Sequence, residues 1–346
     1  MQKTLLYLLL LLIFGGGAYY FVFSDRDSAF PTHEAGFRIK DTSRIGKLFL
    51  VNKLGESVLI ERTPQGWKLN GQYKALTSTV THLLGTLARQ ETKAPVPEVS
   101  HNSIIQTMAG SSTKVEVYDR NGKPMRIFYV GSDAHNYIGT YMLLEGASKP
   151  YLVGIKGFEG SLSASYNTDF DNWRDRTVFD IPAQDIQSVS VDYEEHPLNS
   201  FRITQENGKM DIEVDPRVVG TMEPNINRIS TYLGFFTNLH CEGYLNGKMH
   251  IDSILSTVPK LGTISVTGKD NTYHQEVDVY WMPINKRSKN KVTLSRDVKP
   301  GYDADRYYAV MNNGADTIII QQFNFGKILR KAYEFYEKDL NIPSKN

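Results

Sequence analysis

The chain has 346 residues, of which 40% are hydrophobic and 22% charged, an ordinary globular composition whose length favours two domains. The 39 basic and 38 acidic residues leave a formal net charge of +1, which argues against a strongly basic nucleic-acid-binding protein. Cys241 is the single cysteine, so an intramolecular disulfide is excluded, and this scarcity fits an oxidising compartment.

An uncharged apolar segment, residues 5–23, follows a short tail of residues 1–4. At about 1.5 Å per residue it just spans a bilayer core of about 30 Å. Lys3 precedes the segment and Asp25 and Asp27 follow it, so the positive-inside rule leaves the N-terminus in the cytoplasm. We therefore predict a single-pass protein of the cytoplasmic (inner) membrane with its C-terminal bulk in the periplasm. The alternative is a secreted protein whose N-terminal signal peptide is cleaved near Ala18.

Residues 24–36 show little periodicity and predict a tether, and residues 37–157 then predict a first α+β unit. Apolar positions recur at helical spacing from Leu76 to Leu87, which predicts a helix. A short second helix is predicted over Ser103–Met108. Strands are predicted before and after these helices, with Asn121-Gly122 as a hairpin signal.

The same order of predicted elements returns over residues 185–327. Gly234 follows Gly85, and His250 follows His101, by the same 149 residues. We therefore predict an α+β protein in which an N-terminal transmembrane helix precedes two duplicated units of antiparallel sheet with packed helices. The alternative is one irregular α+β domain.

Residues 158–184 form a junction segment between the two units, and residues 328–346 predict a C-terminal amphipathic helix and tail. The junction contains a run that is too large and too charged for a simple linker: Trp173, Arg174, Asp175 and Arg176. We predict a structural junction at these four residues. The alternative is an anion or partner contact built on the two arginines.

Three stretches of sequence resemble a known bacterial family, domain of unknown function 4340. They are the segment from Phe37 to Ile45, the single Trp67 before a helix, and the segment from Trp173 to Pro182. The resemblance covers roughly residues 37–330. It implies a membrane-anchored envelope protein, in some members encoded near transporters of the gliding-motility type, and it brings no catalytic residue.

The sequence contains no recognisable metal, nucleotide or nucleophile motif. Polar groups that lie close in sequence are better explained as solvated or structural residues than as metal or acid–base sites. These groups are His240, Cys241 and Glu242; His274, Glu276 and Asp278; Asp303 and Asp305; Asp169 and Asp171; and Glu194 and Glu195. We therefore predict no catalytic residue, no cofactor and no metal.

The expected function is that of a non-catalytic, membrane-anchored scaffold or accessory subunit of a bacterial envelope complex, for which the family resemblance implies a relation to transporters or gliding motility. Its expected partners are the membrane, through residues 5–23, and other envelope proteins, with no nucleic acid. The alternative is an envelope enzyme or ligand-binding protein that acts on glycans or other envelope components.

Overall fold

The computed structural model describes residues 11–16, 30–135, 138–248, 250–269, 273–288 and 299–336. Within these ranges, no helix has both the length and the apolar character needed to cross a membrane. Residues 11–16 are helical, whereas the rest of the predicted anchor, the cleavage position near Ala18 and most of the tether lie outside the described residues. The chain divides into two compact units, Met1–Asp175 and Arg176–Asn346.

The first unit is built on one antiparallel sheet. Its described strands are β1 Ile45–Val51, β2 Ser57–Thr63, β3 Gly66–Leu69, β4 Tyr73–Lys74, β5 Gln90–Pro95, β6 Thr113–Asp119, β7 Pro124–Asp133, β8 Thr140–Leu144 and β9 Tyr151–Ile155. They are ordered β4-β3-β2-β1-β6-β7-β8-β9-β5. The Asn121-Gly122 signal connects β6 to β7, as the sequence predicts.

The helices of the first unit are α1 Thr32–Ala35, α2 Thr77–Arg89, α3 Glu98–Ser111 and α4 Phe170–Trp173. The predicted main helix is confirmed as α2, which buries Val80, Leu83 and Leu87 in the core beside the sheet. A helix with one apolar stripe gains most of its stability from such burial. The predicted second helix is confirmed as α3, although it is longer than the apolar pattern indicated.

The second unit is built on another antiparallel sheet. Its described strands are β10 Thr177–Phe179, β11 Ile186–Tyr193, β12 Phe201–Glu206, β13 Lys209–Val214, β14 Leu239–His240, β15 Gly243–Tyr244, β16 Lys260–Gly268, β17 His274–Pro283, β18 Tyr302–Met311 and β19 Asp316–Gln321. The main sheet is ordered β13-β12-β11-β16-β17-β18-β19-β15, while β10 and β14 pair separately. Asn207 and Gly208, both with positive φ, form the β12–β13 turn, a geometry that asparagine and glycine tolerate best.

The helices of the second unit are α5 Pro216–Val219, α6 Ile226–Leu233, α7 Ile251–Leu255 and α8 Gln322–Phe325. Helix α6 places Ile229, Tyr232 and Leu233 in the core beside the sheet. The prediction of an amphipathic helix from residue 328 is wrong for its described part, residues 328–336, which contains only a short 3-10 helix, Ala332–Phe335. Extended backbone at Lys331 precedes this 3-10 helix, and Glu334 accepts a hydrogen bond from the Lys331 amide at its start.

The two main sheets share one strand order. From β3, which lies next to the short edge strand β4, the first sheet runs through β2, β1, β6, β7 and β8 to β9 and β5. From the edge strand β13, the second runs through the corresponding strands to β19 and β15. The glycines at the predicted offset, Gly85 and Gly234, each lie eight residues after the first residue of their helix. His101 lies within α3, whereas His250 precedes α7, so the second pair is less regular.

Candidate functional site

The predicted junction residue Trp173 is fully buried at the end of α4. Its indole N–H donates to the carbonyl oxygen of Asn167 at 3.0 Å, and its own carbonyl accepts from the amide of Leu76 at 2.7 Å. Buried tryptophan is stabilised when its N–H finds such a partner. The contacts of Trp173 are therefore those of a core residue in the first unit.

The three charged residues of the junction run are held by backbone and ring contacts. The Arg174 guanidinium lies 4.4 Å from the Tyr73 ring centroid, and the Asp175 amide donates to the Lys74 carbonyl at 2.9 Å. Arg176, the first residue of the second unit, donates from Nη1 to the Glu242 carbonyl at 2.9 Å. These contacts of Arg174 and Asp175 are made within the first unit, and that of Arg176 is made within the second unit.

The side chains of His240, Cys241 and Glu242 have different surroundings. His240 is exposed with Nδ1 3.3 Å from the Thr177 hydroxyl, while Cys241 is buried. The Glu242 carboxylate accepts from Arg306 Nε at 2.7 Å and from Gln321 Nε2 at 2.8 Å. Partial burial disfavours its charged form, but these hydrogen bonds outweigh that cost and hold the pKa of Glu242 below its ordinary value.

The acidic and basic residues of β17 share one face, as their alternation predicts, and they border a set of hydroxyl side chains on the neighbouring strands. We call this set the hydroxyl face: Ser188, Ser190, Thr204, Thr263, Ser265 and Thr267. Alternate residues such as Val189, Ile264 and Val277 enter the core from the opposite side of the sheet. The alternation of side chains along each strand therefore gives the sheet one apolar face in the core and one polar face.

Hydrogen bonds across β16 and β17 organise the hydroxyl face. Thr263 donates to the Asp278 carboxylate at 2.8 Å, which also pairs with Lys260 Nζ at 2.7 Å. Ser265 donates to Glu276 at 3.2 Å. The face contains a shallow hollow of about 440 Å³.

Carboxylates of the remaining acidic pairs accept hydrogen bonds within the fold. Asp303 is buried and accepts from the Ser288 hydroxyl at 2.5 Å and the Asp305 amide at 2.8 Å. Asp169 caps α4 by accepting from the Asp171 amide. Across the ranges that the structure describes, no three His, Cys, Asp or Glu residues are placed to hold a metal ion together.

Sequence reasoning missed a cavity of about 410 Å³ in the second unit, which we call the aromatic cavity. Its apolar wall consists of Tyr193, Leu261, Trp281, Tyr307 and Leu329. At its rim, Lys299 and Glu195 form an ion pair at 2.5 Å across 104 residues of sequence. No local spacing reveals groups that only the sheet brings together.

A second missed arrangement lies in the first unit, where His82 Nε2 of α2 is 3.1 Å from the Ser165 hydroxyl. The same hydroxyl accepts from Thr86 Oγ1 at 3.4 Å. A serine beside a histidine is a component of nucleophilic sites, which also need an orienting group and an oxyanion stabiliser. Here the His82 side chain is exposed on the helix surface, and the pair joins α2 to the 3-10 helix Ser163–Tyr166.

Comparison with known proteins shows the family to which the chain belongs. No curated protein and no solved structure shows significant similarity to the chain. The family described as Domain of unknown function (DUF4340) matches residues 67–257, from β3 through α7, which is more than half of the chain. The resemblance noted in the sequence is thereby confirmed, and the chain belongs to this family of unknown function.

Proposed function

We propose that this protein is a non-catalytic scaffold or accessory subunit of a bacterial envelope complex, anchored in the cytoplasmic membrane. The observation that carries the proposal is the hydroxyl face of the second sheet. Short hydroxyl side chains can each donate and accept hydrogen bonds, and they lose little rotamer freedom when a partner covers them. A flat face of this kind suits docking by a polar protein surface.

The charges around the hydroxyl face favour a partner with both signs of charge. In the row through Ser190 and Ser265, exposed Arg202 lies on one side, with Glu213 opposite it on β13, and exposed Glu276 lies on the other side. Three strand spacings separate Arg202 from Glu276, or about 14 Å. Complementary charges on a partner would fix its orientation more than they would raise its affinity.

The polar groups away from the hydroxyl face support a structural role. Glu242 is bound by Arg306, and Asp303 is bound by Ser288. Catalysis needs groups that converge on a substrate, whereas these carboxylates are directed into contacts with neighbouring strands. Their positions fit a rigid body that works by contact.

The shared strand order of the two sheets supports duplication of one α+β unit in this protein. The apolar segment of residues 5–23, with Lys3 before it and acidic residues after it, supports the membrane anchor and the periplasmic placement. The family resemblance implies a relation to transporters of the gliding-motility type, because some members are encoded near them. These elements together describe a tethered body with two sheet surfaces.

The docking proposal is tested by placing a long charged side chain in the hydroxyl face. Ser265→Arg should reduce the amount of envelope proteins that co-purify with the full-length chain from mild-detergent extracts. Ser253→Arg, on the exposed surface of α7, is the matched control and should retain them. Equal retention by both variants, with unchanged melting temperatures, would reject the hydroxyl face as the docking surface.

The anchor is tested by cell fractionation and N-terminal sequencing. The full-length chain should remain with the membranes after a high-salt wash and resist alkaline extraction. Protease added from the periplasmic side should degrade the residues beyond about position 24. A soluble periplasmic protein that begins near Tyr19 would instead establish the cleaved signal peptide.

A further inference from the structure

The aromatic cavity carries an inference that goes beyond scaffolding. Its volume of about 410 Å³ falls in the range of small-molecule sites, about 300–1,000 Å³. The lining combines the aromatic side chains of Tyr193, Trp281 and Tyr307 with the amide side chains of Asn199 and Gln322. Such sites combine an apolar wall with a few polar groups that fix ligand orientation.

The polar groups of the cavity are positioned by hydrogen bonds within the fold. The Tyr307 hydroxyl donates to Gln322 Oε1 at 2.9 Å, so the amide nitrogen of Gln322 is the group suited to donate to a ligand. The Tyr193 hydroxyl donates to the Arg330 carbonyl at 2.9 Å. Burial raises the pKa of Tyr193, so its phenol stays neutral and keeps this hydrogen bond. The wall and the amide are therefore held in place before any ligand binds.

The charge at the rim restricts the ligand class. Lys299 is neutralised by Glu195, and Lys331, the other ammonium of the lining, also has a contact within the fold, so both are poorly suited to attract a phosphate or sulfate group. A fatty-acyl ligand would favour a continuous apolar lining, whereas this cavity also contains Asn199, His196 and Gln322. The lining therefore favours a neutral ligand with both apolar faces and hydroxyl groups.

We infer that the aromatic cavity binds a neutral saccharide unit, of the size of a hexose or an N-acetylhexosamine. A sugar ring presents C–H faces to apolar and aromatic walls and hydroxyl edges to amides, which is the combination found here. The site is distinct from the hydroxyl face, which is built on β11, β12, β16 and β17 from side chains that face away from the core. Saccharide binding would give the membrane-anchored protein a second binding surface beside the hydroxyl face.

The test is titration calorimetry of the full-length protein in detergent with glucose, maltose and N-acetylglucosamine. At least one sugar should bind saturably, and Gln322→Ala should weaken that binding about tenfold, which corresponds to about 1.4 kcal/mol. Asn324→Ala, in the same helix and outside the cavity lining, is the matched control and should bind as the unchanged protein does. Asn199→Ala provides a second variant in the cavity lining.

Circular dichroism of each variant separates a binding defect from unfolding, and the Asn199 substitution decides the outcome if Gln322→Ala does not fold. The inference is overturned if none of the three sugars binds. It is also overturned if sugar binding is unchanged in the folded cavity variants, or if inorganic phosphate or decanoate binds through Gln322 and Asn199 and the sugars do not. Loss of partner docking in Ser265→Arg tests a different surface, so the two proposals fail independently.

Discussion

The carbonyl oxygen of Trp173 accepts a hydrogen bond from the backbone amide of Leu76 at 2.7 Å. Leu76 precedes the first residue of α2 and offers no side-chain cap to the helix. Backbone amides at a helix start lack partners within the helix, so the junction segment satisfies a donor that the helix cannot. The same residue that closes α4 thereby fixes the start of the main helix of the first unit.

Trp173→Ala should destabilise the first unit by about 3–5 kcal/mol, because it removes a fully buried side chain and leaves a cavity. Trp173→Phe should cost less, since it retains most of the apolar volume and loses the hydrogen bond to Asn167. Thermal unfolding followed by circular dichroism measures both. The control is Trp67→Ala, which removes a half-buried ring and should have a smaller effect. An unchanged melting temperature in Trp173→Ala, combined with loss of a binding partner, would make the segment a contact site.

Glu242→Gln should lower thermal stability at neutral pH, where the carboxylate is paired with Arg306. The pKa of Glu242 in the folded protein lies below its ordinary value of 4.5, so folding favours the charged form. The stabilisation is present above that ordinary value and is lost as the pH falls through the lower, folded-state pKa. The difference in melting temperature between the two proteins should therefore narrow below about pH 4.5.

The charge-matched control for this experiment is Glu206→Gln at an exposed hairpin position. It should shift the melting temperature little and without the same narrowing at acid pH, because exposed charges contribute weakly to stability. The proposed ionic contribution would be disproved if the melting temperatures of Glu242→Gln and the unchanged protein differed by a constant amount from pH 7 to pH 3.

Asp211→Ala should increase self-association of the protein. The strand β13 is at the edge of the second sheet, and the Asp211 carboxylate accepts a hydrogen bond from the Ile212 amide at 3.0 Å. Removing this acceptor leaves an edge amide available to pair with another chain. Light scattering at rising protein concentration measures the effect. Glu213→Ala removes the same charge from the same strand, so equal association in both variants would assign the effect to net charge.

Ser165→Ala and His82→Ala should each leave complex assembly unchanged. Their 3.1 Å contact joins α2 to a neighbouring 3-10 helix, so its removal should cost about 1 kcal/mol of stability or less. Co-purification of partners and thermal unfolding provide the two measurements. Loss of biological function in Ser165→Ala, with folding and assembly intact, would instead identify a nucleophile and contradict the non-catalytic proposal.

The second unit shows how far the sequence determined local structure. Alternation along β17 places His274, Glu276 and Asp278 on one face, and the apolar residues of α6 recur at helical spacing. Asn207 and Gly208 form the β12–β13 turn. These features follow from side-chain period and from the backbone conformations that asparagine and glycine tolerate, which are properties of neighbouring residues.

Only the tertiary structure decided which strands became neighbours. Pairing of β11 with β16 brings Ser190 beside Ser265, and the sheet brings Glu195 to Lys299 at the rim of the aromatic cavity. It also left only a short 3-10 helix, Ala332–Phe335, in the described part of the predicted C-terminal helix, where burial of Ile328, Ala332 and Phe335 in the core accompanies extended backbone at Lys331. Contacts between residues distant in sequence depend on the packing of whole elements, and no local periodicity encodes which elements meet.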